Sequence, residues 1–171
     1  EWKDKSDSGI LAKQLSTSSA RPSYQTQEFG KRASIRFDGV NDNLFLDAAV
    51  RDALGGVTSF VVSKRAESQS GGATARMLGT SEFDFVAETD DAYEAKVSTY
   101  TAAENKIINV KIGREDSSAS EYFAGDVAEV LIFNRALTNL ETKMVEGYLA
   151  HKWGATDNLL STHPYKEIAP S

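Results

Sequence analysis

From Ala33 onward the chain alternates, with Ala33, Ile35 and Phe37 standing between Ser34, Arg36 and Asp38, a period-two pattern that predicts a strand with one buried face. A polar break, Asp38-Gly39-Val40-Asn41-Asp42, precedes Leu44, Phe45 and Leu46, so the stretch reads as strand, turn, strand. Further apolar runs at 57–63, 75–78, 83–87, 95–100, 107–112 and 127–133 predict more strands. Many short strands separated by polar turns imply an all-β sandwich of two antiparallel sheets. Residues 1–31 are polar and show no sustained period; a long surface segment pinned by Trp2, Leu11, Leu15 and Tyr24 is expected there.

One segment departs from the β pattern. Leu140, Met144, Val145, Tyr148 and Leu149 recur at helical spacing, Thr138 and Glu141 form a capping box, and Gly154 supplies a C-terminal stop. A C-terminal α-helix lying across the sandwich is predicted, with Gly147 allowing close approach of a strand.

Charge and composition then narrow the function. The 25 Asp and Glu outweigh 19 scattered Lys and Arg, for a net charge of -6, which disfavours a nucleic-acid partner. The longest strongly apolar run, Val130–Phe133, is too short to enter a bilayer as a span. The absence of cysteine removes disulfides, thiol catalysis and cysteine-ligated zinc. At 171 residues the chain reads as a single domain, 1–171, and its opening Glu1-Trp2-Lys3-Asp4 reads as part of something longer.

The stretches ASIRFDGVNDNLFL (33–46) and YFAGDVAEVLIFNRALTNLETKMVEGYLAHKWG (122–154), with HPYK (163–166), resemble the laminin-G-like, concanavalin A-like jelly-roll modules of bacterial surface proteins, secreted polysaccharide-active proteins and phage structural proteins. EWKDKS (1–6) is similar to the W-x-D-x-S stretch near the start of such modules. The resemblance implies a jelly-roll β-sandwich closed by the helix and its K-W-G and H-P-Y tail. It also implies a first strand upstream of W-x-D-x-S, supplied by a neighbouring segment or missing from this piece, and more strands than 71–100 has room for. Trp153 and Tyr165 are then expected to pack the returning chain, and His151 and His163 to be structural rather than metal ligands.

Three sets of residues could carry function. Glu82, Asp84 and Glu88 share strand parity and resemble the carboxylate strand of related glycoside hydrolases. Their spacing spreads the outer two about 20 Å apart, however, and a retaining pair needs about 5 Å. A solvated face alternating with Phe83, Phe85 and Ala87 accounts for them. In the Asp38–Asp42 turn, Asp38, Asn41 and Asp42 are hard oxygen ligands that could hold calcium, although a plain turn explains the same residues. For sugar binding, Tyr93, Tyr100 and Tyr122 lie in polar contexts, with Asp84 as a carboxylate that could bond hydroxyls.

The expected function is a non-catalytic glycan-recognition or adhesion module of a larger extracellular, cell-surface or virion-surface protein. The alternative is a structural phage tail, fibre or capsid-decoration domain that binds neighbouring subunits, and a polysaccharide-active enzyme ranks third. No nucleic acid and no membrane insertion are expected, and calcium is the one cofactor considered.

Overall fold

The computed structural model describes residues 1–14, 17–29, 31–47, 50–51, 56–66, 76–79, 84–86, 96–102, 107–108, 110–114 and 122–171. Its strands, in chain order, are β1 (Trp2–Lys3), β2 (Leu11–Lys13), β3 (Ser23–Phe29), β4 (Arg32–Asp38), β5 (Leu44–Leu46), β6 (Val50–Arg51), β7 (Val57–Arg65), β8 (Arg76–Gly79), β9 (Asp84–Val86), β10 (Lys96–Ala102), β11 (Ile107–Ile108), β12 (Lys111–Ile112) and β13 (Ala124–Phe133). A helix, α1 (Asn139–Trp153), follows. One antiparallel sheet has the order β1-β2-β5-β12-β8-β9, a second β10-β7-β13-β4-β3, and β6 pairs with β11 in a small ribbon.

The pattern of burial along β7 explains the layering. Val57 through Ser63 are all buried, so both faces of this strand are covered. Val57 and Val61 join Phe37, Val127, Ala12, Leu44 and Ile112 in a core between the two sheets. Phe60 and Val62, of opposite parity, join Phe29, Ala128 and Leu149 in a second core beneath α1. The molecule is therefore sheet, sheet, helix, and the five-stranded sheet is the middle layer. Burying each of these Val or Phe side chains contributes about 1.5–3 kcal/mol.

A bulge in β13 makes this arrangement possible. Val127 pairs with Ser63 and Glu129 with Val62, so Ala128 is an inserted residue. Before the bulge the odd positions Phe123 and Val127 face the inter-sheet core; after it the even positions Val130 and Ile132 do. Ala128, Leu131 and Phe133 then face the helix. On that side Asp126, almost fully buried, accepts from Arg36 Nε and Nη2 (3.1 and 2.8 Å) and from Ser34 Oγ (3.1 Å).

The helix forms where the spacing predicts. Thr138 Oγ1 accepts from Glu141 N at 3.3 Å, and Thr138 N donates to the Glu141 carboxylate at 2.8 Å. Gly154 ends it in the left-handed region at φ 70, where a side chain would be strained. Leu137 N donates to Thr58 Oγ1 at 2.9 Å, tying the helix entry to β7.

Four expectations are corrected. The first 31 residues are more than a pinned surface segment: β1, β2 and β3 lie there and Ala12 is buried in the inter-sheet core; Trp2 packs against that core as expected, whereas Tyr24 is 67% exposed rather than pinned. The signal was missed because two of these strands are only two or three residues long, and the third is polar on an edge. The run 107–112 divides between the small ribbon and the six-stranded sheet. Gly147 receives the C-terminal tail, not a strand: a Cβ there would lie 2.4 Å from Tyr165 Cβ. Finally, the apolar helix positions split between two faces, with Val145 and Leu149 inward and Leu140, Met144 and Tyr148 exposed. Leu15, Phe83 and Ala87 fall outside the described residues.

Candidate binding surface

α1 lies on the five-stranded sheet, so the outer face of the six-stranded sheet carries no helix among the described residues. Its side chains follow from strand parity. Leu44 of β5 and Ile112 of β12 pair with each other and point into the core, so Phe45 and Lys111, the next pair, point outward. Lys13 of β2 pairs with Phe45 on the other side, which places Lys13, Phe45 and Lys111 in one cross-strand row. Lys111 Nζ sits 5.2 Å from the centre of the Phe45 ring. Lys13 Nζ is 2.8 Å from Asp47 Oδ2, while Leu11 N donates to Asp47 Oδ1 at 2.7 Å. The Lys13 bond and then the Leu11 N–H hold the Asp47 carboxyl below its usual range.

The same row continues through Gly79 of β8 to Asp84 of β9, since Gly79 pairs with both Lys111 and Asp84. Asp84 therefore shares a register row with Phe45. Tyr100 does not: it pairs with Ser59 in the other sheet. Tyr93, Glu82 and Glu88 lie outside the described residues.

At one end of β5 the row meets the Asp38–Asn43 turn. Asp38 Oδ1 accepts from Val40 N, Asn41 N and Asp42 N at 2.8, 3.0 and 3.1 Å, and Asp42 Oδ2 accepts from Asp38 N at 3.0 Å. Gly39 takes φ 75, with no room for a side chain because Ala124 Cβ would lie 2.7 Å away. The two carboxylates diverge in character. Burial raises the Asp38 carboxyl, but the three N–H donors outweigh it and leave it lowered. Asp42 is raised, by its burial and then by the neighbouring Asp38 charge.

Two other oxygens in the turn are conspicuous. Asn41 Oδ1 and Asn43 Oδ1 are buried and have no hydrogen-bond partner, although Asn43 Nδ2 donates to Asn41 O at 2.8 Å. An unmet buried carbonyl is costly. Asp38 Oδ1 thus shapes the turn, while the unpartnered side-chain oxygens there are Asn41 Oδ1 and Asn43 Oδ1, on either side of Asp42. Asn43 was missed in the sequence; the spacing Asn-x-Asn directly before a strand was its one local signal. No cluster of three His, Cys, Asp or Glu suited to a metal occurs among the described residues.

Tyr122 reaches this same rim. Phe123 N donates to Gly113 O at 2.9 Å, and a Cβ on Gly113 would stand 3.1 Å from Asp42 O. Arg114 bridges to Tyr122, its Nη1 donating to the phenol oxygen at 3.3 Å and its guanidinium lying 5.3 Å from the ring centre. Tyr122 thus pairs with Arg114, one residue from the Gly113 that abuts the Asp42 carbonyl, whereas Tyr100 lies in the other sheet.

The C-terminal cluster closes the fold. His163 is buried; its Nδ1 accepts from Tyr165 N at 3.2 Å, which leaves the proton on Nε2, 3.4 Å from Glu146 Oε2. That contact has ion-pair distance without hydrogen-bond geometry. Glu146 Oε1 accepts from Thr99 Oγ1 at 2.7 Å, so the tail, α1 and β10 are joined. His151 Nε2 meets Tyr165 O at 2.9 Å, and Lys166 Nζ donates to the carbonyls of Thr156, Asp157 and Leu159 at 2.7–3.1 Å.

Searches among family models, curated proteins and solved structures return no match to this chain.

Proposed function

We propose that the chain is a non-catalytic recognition module of a larger extracellular, cell-surface or virion-surface protein, attaching to a glycan or polysaccharide through the outer face of its six-stranded sheet. A laminin-G-like jelly roll is the specific form of sandwich assigned in the same proposal, supported by two antiparallel sheets with one helix closing the outer side of one of them. One observation carries the reading: Phe45 stands between Lys13 and Lys111 on a sheet face that bears no helix among the described residues, in a register row that runs on through Gly79 to Asp84. An aromatic ring takes the apolar face of a sugar, and flanking ammonium groups bond its hydroxyls.

Calcium is the cation proposed for the adjoining rim, with Asn41, Asp42 and Asn43 as its candidate ligands, two neutral amide oxygens without a partner and one buried carboxylate. When bound, the ion offsets the repulsion between Asp42 and Asp38 and stiffens the entry to β5. Purified protein is to be tested against a broad glycan panel with calcium and with chelator. Selective binding that falls in Phe45→Ala supports the reading; silence under both conditions ends it. Reducing-end release abolished by Asp84→Ala would move the protein to the hydrolases.

A structural virion role is the second reading, and β3 favours it. This strand of seven residues forms an edge of the five-stranded sheet, pairs only with β4 among the described residues, and is largely exposed. Such an edge accepts a strand from a neighbouring subunit. Sedimentation as a monomer at all concentrations, with no edge-dependent assembly, counts against it.

A further inference from the structure

Cations and aromatic rings alternate at the end of α1. The Arg32 guanidinium lies 5.7 Å from the centre of the Trp153 ring, and Lys152 Nζ lies 5.6 Å from that ring and 5.3 Å from Tyr148. This ladder runs from the β3–β4 hairpin across the last turn of the helix. Trp153 is held firmly: Nε1 donates to Glu129 Oε2 at 2.5 Å, and Phe29 meets the ring edge-on at 5.8 Å. A platform held this way loses little freedom on binding a ligand.

The three cations nearby differ in commitment. Lys152 pairs with Glu129 Oε1 at 2.8 Å. Arg32 and Lys31 are exposed and have no acidic partner among the described residues. Lys31 sits at the hairpin tip in left-handed backbone, φ 73, a conformation a lysine adopts only at a cost. In a chain of net charge -6 this is a local cationic spot beside a 49% exposed tyrosine.

We infer that this ladder binds a polysaccharide whose rings carry an oxyanion, either a carboxylate or a sulfate ester. Arg32 takes the oxyanion with its planar fork of N–H donors, Lys31 adds a second charge, and Tyr148 packs against an adjoining sugar. The inference rests on the recognition reading, but its site is in the helix layer, separated by both sheets from Phe45.

The test measures affinity of the whole chain for dextran, dextran sulfate and polygalacturonate, using wild type, Arg32→Glu, Lys31→Glu and Phe45→Ala, with Lys5→Glu as the charge-matched control. The expected result is binding to one or both charged polymers and not to dextran, weakened about tenfold or more by Arg32→Glu and unchanged by Lys5→Glu, which reverses an exposed charge outside the ladder. The two charged polymers tell carboxylate from sulfate ester. Arg32→Glu binding as tightly as wild type overturns the proposal, as does equal retention of single-stranded DNA, which would mark plain polyanion attraction. Neutral glycans bound through Phe45 with no charged polymer bound overturns the ladder and leaves the recognition reading standing. Failure to bind any glycan removes both.

Discussion

Gly147 and Tyr165 are in direct contact: the tail crosses α1 at the one position in its path without a side chain, and a methyl group there would lie 2.4 Å from Tyr165 Cβ and 2.9 Å from its Cγ. Alanine in a helix is worth about 1 kcal/mol over glycine. A clash with the stem of a ring, which cannot swing aside, costs about 1–3 kcal/mol. Gly147→Ala is therefore expected to destabilise by about 1 kcal/mol in urea unfolding, with exchange of the Tyr165 and Lys166 amides accelerated. Greater stability with unchanged exchange would show that the tail moves freely.

The pairing of Arg36 with Asp126 predicts an asymmetry. Removing Arg36 leaves a carboxylate buried without its cation, whereas removing Asp126 leaves a guanidinium whose side chain is 42% exposed and can turn to water. Arg36→Leu is expected to cost about 2–3 kcal/mol and Asp126→Ala about 1–2 kcal/mol, the exposed partner reducing both. Equal costs in chemical denaturation would contradict this.

At the rim, the opposed behaviour of Asp38 and Asp42 separates turn from cation site. Asp38→Ala is expected to lower the melting temperature with or without calcium, because three backbone N–H groups lose their acceptor. Asp42→Asn and Asn43→Ala are expected to abolish any rise in melting temperature that calcium produces, while leaving the calcium-free protein nearly as stable. The raised Asp42 carboxyl adds a pH signature: its contribution to stability is present at low pH and is lost as pH rises through the folded value. Calcium should reverse that loss.

Glu141 predicts the opposite limb. The hydrogen bond from Arg135, followed by those from the Thr138 N–H and hydroxyl, brings its carboxyl down to about 2 from its ordinary value of 4.5. Its stabilising contribution is thus present above 4.5 and is lost as pH falls through about 2. Carbon-detected titration of the side chain should place its midpoint near the lower value, and Glu141→Gln should remove that part of the acid limb and fray the first turn of α1. A midpoint in the ordinary range would show that solvent breaks the capping box.

The sequence by itself determined the local elements. Alternation of Ile35 and Phe37 with Ser34, Arg36 and Asp38 marked β4, the apolar run from Val57 marked β7, and Thr138, Glu141 and Gly154 marked both ends of α1. These are legible because backbone geometry repeats every two or 3.6 residues within one segment. Tertiary structure decided what those elements face. One inserted residue, Ala128, exchanges the two faces of β13, and no local pattern distinguishes a bulge from an unbroken strand. Likewise Phe45 gains Lys13 and Lys111 only through pairing between segments far apart in the chain. Register is set by burying two whole sheets against each other, so the candidate surface exists only once the layers have closed.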